Sequence, residues 1–186
     1  MTSLTILDTP INGLKVVERA PRGDSRGSLT RLFCAEELSA AHWHKPVAQI
    51  NQTLTQKKGL IRGMHFQHPP HVEMKLVTCL HGSIWDVAVD LRAGSPTFLK
   101  WHAEELSATN HRALLIPEGF AHGFQTLTND CELIYLHSAP YTPAAEAGIH
   151  SQDPMLAISW PLPVTELSAR DANHTILDYQ FNGVSL

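Results

Sequence analysis

With 186 residues, 43% hydrophobic and 17% charged, the chain has apolar material for one domain (1–186) with a sizeable core and too much of it for a disordered polypeptide. A net charge of −4 and a pI near 6.3 exclude a broad basic surface for nucleic acid, leaving at most a few convergent Arg and Lys for a small anion. Three scattered cysteines, Cys34, Cys79 and Cys131, read as free thiols of a cytoplasmic protein, and neither a membrane-length apolar run nor a signal-peptide layout is present.

In chain order, residues 1–33 divide into short strands. Leu14–Val17 is apolar, Pro21-Arg22-Gly23-Asp24 supplies turn chemistry, and Ser28–Phe33 alternates as a half-buried strand should. A helical turn is expected over 36–42, then a strand from Val47 to Leu54 and a turn at Gln56–Gly59. Lys75–Leu80 and Ser83–Leu91 flank His81-Gly82 and predict a hairpin. Its second strand puts Trp85, Val87, Val89 and Leu91 on one face, Ile84, Asp86, Ala88 and Asp90 on the other. Strands follow over Phe98–Leu106, Ala113–Ile116, Phe120–Leu127 and Cys131–His137. Beyond Pro140 the chain is Pro-rich and irregular, until Ser168 offers a cap for a short helix. Many short strands with little helical periodicity predict an all-β sandwich or barrel.

The stretch Gly59 to Gln67 draws the eye chemically. His65 and Gln67 share a strand face, whereas Arg62 has the opposite parity, so a regular strand points it away. One extra residue at Gly63, a bulge, would bring Arg62 and His65 to the same side. A histidine can serve as a base for a proton next to a carbonyl, with a carboxylate on its other nitrogen. Lys75 can hold the developing oxyanion and Tyr135 can return a proton.

A metal site is the competing chemistry. His65, His68, His71 and Glu73 cluster in sequence, and Pro117-Glu118-Gly119-Phe120-Ala121-His122 fits the Pro-x-Gly-x-x-His half of the cupin metal pattern. The other half, His-x-His, is broken: Gln67 stands where the second histidine belongs, and Pro69-Pro70 interrupt the strand. A metal-dependent dioxygenase or isomerase is the rival enzyme to a metal-free proton-transfer enzyme, and a non-catalytic binding cupin is the rival from another class.

Successive blocks of the chain resemble the dTDP-4-dehydrorhamnose 3,5-epimerase family. They are Gly59–Gln67, Lys75–Val77, Trp85–Asp90, Gly94–Phe98, Ile116–Phe124, Tyr135, Asp153-Pro154, Ile158–Pro161 and Ser168–Asp171. The resemblance implies a cupin-type jelly-roll β-barrel with short peripheral helices, a homodimer, no metal and no organic cofactor. It implies a catalytic set of His65 as base, Asp171 as its partner, Lys75 at the oxyanion and Tyr135 as acid. Arg62, His122, Gln49 and Asn51 fall on positions lining the nucleotide-sugar site. The implied activity is epimerisation of a nucleotide-linked 4-keto-6-deoxy sugar at carbon 3, carbon 5 or both, in deoxysugar biosynthesis for a surface polysaccharide such as lipopolysaccharide O-antigen or for another glycosylated product.

Two departures stand out. The family's Asp-x-Arg-Gly-x-Phe-x-Glu, which reaches the nucleotide in the partner subunit, reads Asp24-Ser25-Arg26-Gly27-Ser28-Leu29-Thr30-Arg31. Arg26 is kept, but Arg31 replaces the glutamate, which favours CDP first and GDP next over dTDP as the carrier. A family glutamine before the lysine is also replaced, within His71-Val72-Glu73-Met74.

Overall fold

The structure, a computed structural model, describes residues 3–186. The chain begins with an antiparallel pair, β1 (Leu4–Asp8) and β2 (Lys15–Arg19), and a small ribbon, β3 (Arg22–Asp24) and β4 (Gly27–Leu29). The expected helical turn is present as α1 (Ala35–Leu38) running into a 3-10 turn at Ser39–Ala41. Eight strands follow: β5 (Gln49–Thr55), β6 (Ile61–Gln67), β7 (Lys75–His81), β8 (Ser83–Asp90), β9 (Trp101–Ser107), β10 (Arg112–Ile116), β11 (Phe120–Thr126) and β12 (Cys131–His137). A short β13 (Glu146–Gly148) and α2 (Ala169–Ala172) complete the set, with Ser168 capping α2 as expected.

The strands form two sheets, ordered β1-β2-β10-β7-β12-β5 and β13-β6-β11-β8-β9. Alternation along each strand explains why both sheets bury two faces. Val16, Val77, Leu114 and Leu133 of the first sheet meet Ile84, Ala88, Leu106 and Phe124 of the second between the layers. The outer face of the first sheet, with Val17, Leu76 and Leu115, packs under Leu38, Ala41 and Trp43. The outer face of the second, with Met64, Phe66, Val87 and Val89, is covered by Leu156, Trp160, Leu177, Phe181 and Val184. The irregular Pro-rich stretch is thus the lid of the second sheet, tied down where the Val184 amide donates to the Leu91 carbonyl at 2.7 Å.

The hairpin expected at His81-Gly82 is not one. β7 pairs with β10 and β12, whereas β8 pairs with β9 and β11, so the chain changes sheets at this turn. Gly82 sits at φ 75°, and a Cβ there would fall 2.6 Å from Thr128 Oγ1 and 2.9 Å from Cys131 Sγ. A tight glycine corner serves a sheet-to-sheet crossing as well as a hairpin. The strand expected over Ser28–Phe33 is also cut back: only Gly27–Leu29 pairs, in a ribbon whose residues are all exposed. The strand expected to start at Phe98 begins at Trp101, because Ser95 and Thr97 build turns, their carbonyls accepting from the Phe98 and Lys100 amides.

Candidate active site

The bulge anticipated at Gly63 is present. Against β11, Phe124 faces Arg62 and His122 faces His65, so β6 carries one residue more than its partner between those two pairs. Gly63 has φ 122°, and a Cβ on it would lie 2.5 Å from Gly123 Cα, so the close approach of these two strands requires glycine. The side-chain order is thereby reset: Met64 and Phe66 join the outer core, while Arg62, His65 and Gln67 all line one cavity of about 510 Å3. Arg62 crosses to the first sheet, donating through Nε to Thr55 Oγ1 at 3.0 Å.

His65 Nε2 donates to Asp171 Oδ1 at 2.7 Å. Asp171 is held from two sides. Its own amide donates to Ser168 Oγ at 3.0 Å, and its Oδ2 accepts from the Gly63 amide at 3.3 Å. Burial opposes ionisation of this carboxyl, yet the hydrogen bond and charge of His65, the Gly63 amide and Arg170 outweigh it and bring its pKa down to about 2. With Nε2 committed to Asp171, Nδ1 is the His65 nitrogen left to take a proton. Arg170 Nη1 donates to both carboxylate oxygens of Glu146 at 3.0 Å, and Nη2 lies 3.3 Å from His65 Nε2. His174 packs edge-on against His65, its ring centroid 5.3 Å away. Burial, then the His65 charge, lower its pKa.

The first sheet supplies the facing wall. Lys75 Nζ lies 3.1 Å from Glu73 Oε1, and His137 Nδ1 donates to Glu73 Oε2 at 2.8 Å. Burial raises the Glu73 pKa, but His137 and Lys75 more than reverse this and keep it ionised. Tyr135 stacks on His137 with centroids 6.1 Å apart, and burial pushes its phenol above the ordinary range. Deeper, His122 Nε2 donates to the fully buried Asp86 Oδ1 at 2.7 Å. Burial raises the Asp86 pKa against the pull of His122 and Lys75.

Of the ten site residues expected from the sequence, His65, Asp171, Tyr135, Lys75, Arg62, Gln49, Asn51 and His122 all line this cavity. Arg26 and Arg31 do not. Arg26 pairs with Asp24 on the exposed ribbon, and Arg31 pairs with Glu37. The alternative metal set is not assembled: His65 serves Asp171, His122 serves Asp86, and Glu73 faces Lys75 and His137. Among the described residues, the His/Asp/Glu group with donor atoms within 4.8 Å is His65, Asp171 and His174. The structure adds His137 and Arg170 to the cavity wall and His174 beside His65, none of them among the residues expected from the sequence. A period-two step from Tyr135 points to His137, and adjacency to Asp171 points to Arg170.

The sequence profile of the family described as dTDP-4-dehydrorhamnose 3,5-epimerase matches residues 8–178. The dTDP-4-dehydrorhamnose 3,5-epimerase of Salmonella typhimurium is 38% identical over 176 residues, 94% of this chain and 96% of that protein. Among solved structures, dTDP-6-deoxy-D-glucose-3,5-epimerase of Legionella pneumophila in complex with dTDP-4-keto-L-rhamnose superimposes with a TM-score of 0.90 at 38% identity, covering 97% of this chain and 98% of that one. The 4-keto-6-deoxy sugar epimerase of the novobiocin cluster of Streptomyces spheroides gives 0.88 at 35% identity, covering 94% and 88%. The two-sheet sandwich is therefore a cupin-like jelly roll, and the chain belongs to the dTDP-4-dehydrorhamnose 3,5-epimerase family of carbohydrate isomerases.

Proposed function

We propose that the substrate is a 4-keto-6-deoxy hexose carried on a nucleoside diphosphate, and that His65 removes the proton from a carbon flanking the C4 ketone. The ketone makes such a proton removable because the electron pair left behind delocalises onto oxygen. Asp171 stabilises the imidazolium that forms, Lys75 holds the enolate oxygen, and Tyr135 returns a proton from the opposite face. Arg62, His122, Gln49 and Asn51 provide polar contacts to the sugar and diphosphate. One observation carries this reading: two kinds of proton-transfer group stand on opposing sheets across a single cavity, His65 on β6 and Tyr135 on β12. Inversion needs removal on one face and return on the other.

In a homodimer, the ribbon bearing Arg26 and the following Arg31 completes the partner's site and reaches its nucleotide. The exposure of every residue in that ribbon supports this, with Leu29 at 76%. The test of the activity is incubation in heavy water with a panel of 4-keto-6-deoxy sugar nucleotides, with deuterium located by NMR. Uptake at carbon 3 or carbon 5 is expected; no uptake from any member of the panel overturns the reading.

A further inference from the structure

The wall opposite His65 carries a further histidine–carboxylate pair, beyond His65–Asp171 and His122–Asp86, that the steps above do not use. His137 Nδ1 donates to Glu73 Oε2 at 2.8 Å, and both side chains line the cavity with only 11% and 9% of their surface exposed. The remaining nitrogen, Nε2, has only Asn51 Nδ2 at 3.5 Å, too distant for a strong hydrogen bond. Asn51 is itself engaged, its Oδ1 accepting from Gln49 Nε2 at 3.1 Å. The charged and titratable groups facing His137 are Glu73, Lys75 across β7 and Tyr135 on its own strand. Glu73 stands in the segment where the resembled family has a glutamine. A glutamine offers His137 Nδ1 a neutral acceptor, whereas the Glu73 carboxylate accepts that N–H with a full negative charge and fixes the ring with Nε2 turned to the cavity.

We propose that His137, oriented by Glu73, is a second acid–base group of the site, serving one of the two carbons that flank the ketone while Tyr135 serves the other. The proposal rests on the epimerase reading and deepens it. In the step, the enolate electron pair forms a C–H bond to the proton on His137 Nε2, the N–H bond breaks, and the ring is left neutral beside ionised Glu73. His65 leaves the same step protonated, and the two rings restore their states through solvent once the product departs. In the reverse direction neutral His137 takes that proton.

The test compares wild type with His137→Ala and Glu73→Gln in heavy water, following inversion and deuterium uptake separately at carbons 3 and 5. In His137→Ala, inversion at one carbon should fall about 100-fold or more while uptake at that carbon, driven by His65, stays within about threefold. Added imidazole should restore part of the lost inversion, and Glu73→Gln should lie between the two proteins. If no carbon loses inversion, or if uptake and inversion fall together in a variant with wild-type circular dichroism, the role is overturned. Absence of uptake in the wild type would instead overturn the epimerase reading beneath it.

Discussion

His65 and Asp171 stand 106 positions apart in the chain and 2.7 Å apart in space. The Gly63 amide binds the other oxygen of the same carboxylate, so β6 grips Asp171 at two points separated by two residues. His65, Asp171 and the Gly63 bulge form one mechanical unit. His65→Ala should lower turnover by about 100- to 10,000-fold, and Asp171→Asn should also cripple it, both with the fold intact by circular dichroism. A His65→Ala protein that still exchanges substrate protons at the wild-type rate would show that the base lies elsewhere.

Asp171 also links stability to acid. Its folded pKa of about 2 lies below the ordinary carboxylate value near 3.9, so the folded state holds fewer protons than the unfolded one across that interval. Its contribution, on the order of 2 kcal/mol, is complete above about pH 5 and is lost as pH falls through about 2. Urea unfolding of wild type and Asp171→Asn should show a stability gap that narrows by this amount between about pH 5 and pH 2. A gap independent of pH would contradict the assignment.

Tyr135→Phe removes the phenol while keeping the ring that stacks on His137. Deuterium uptake should persist at the carbon concerned while net inversion there drops. Unchanged inversion at both carbons would reduce Tyr135 to a packing residue.

The exposed ribbon predicts a dimer. Sedimentation should give a mass of twice the chain, and Arg26→Ala should lose activity more than it loses dimerisation. Mixing Arg26→Ala with His65→Ala should recover activity, since hybrid dimers contain one site built from two unmodified contributions. A concentration-independent, fully active monomer would dispose of this reading.

Arg31 bears on the carrier base. Its guanidinium is tied to Glu37, whose Oε2 also accepts the Ser3 and Leu4 amides at 2.9 and 2.7 Å, so the group is anchored at the root of the ribbon. A guanidinium offers only donors, which suits the acceptors of cytosine or guanine and conflicts with the N3–H of thymine. Calorimetric titration should rank CDP first and GDP next, ahead of dTDP. A dTDP affinity at least tenfold above both, about 1.4 kcal/mol, would refute the inference.

The parity conflict between Arg62 and His65 was enough to locate the bulge, because a period of two leaves few ways to put both on one side. The strands β10, β11 and β12 were readable for the same reason: alternation and flanking turns mark them locally. Asp171 was different. Nothing in the sequence between them ties it to His65, 106 positions away, and only family resemblance connects the two. The crossing at Gly82 is not legible locally, because a glycine corner has the same sequence whether the chain turns back or changes sheets. The pairing of Glu73 with His137 is not legible in the sequence, because it depends on the register of β7 against β12, where His137 faces Lys75.

The lid over the second sheet has a consequence for biogenesis. Asp171 resides in the same C-terminal stretch as Leu177, Phe181 and Val184, which seal the outer face of that sheet. All thirteen strands of the described residues precede it in the chain. During synthesis the residues of both sheets can emerge from the ribosome before Asp171, so the contact between His65 and its carboxylate forms only after the strands are out. A nascent chain halted before α2 would hold the pocket's walls without the carboxylate that meets His65.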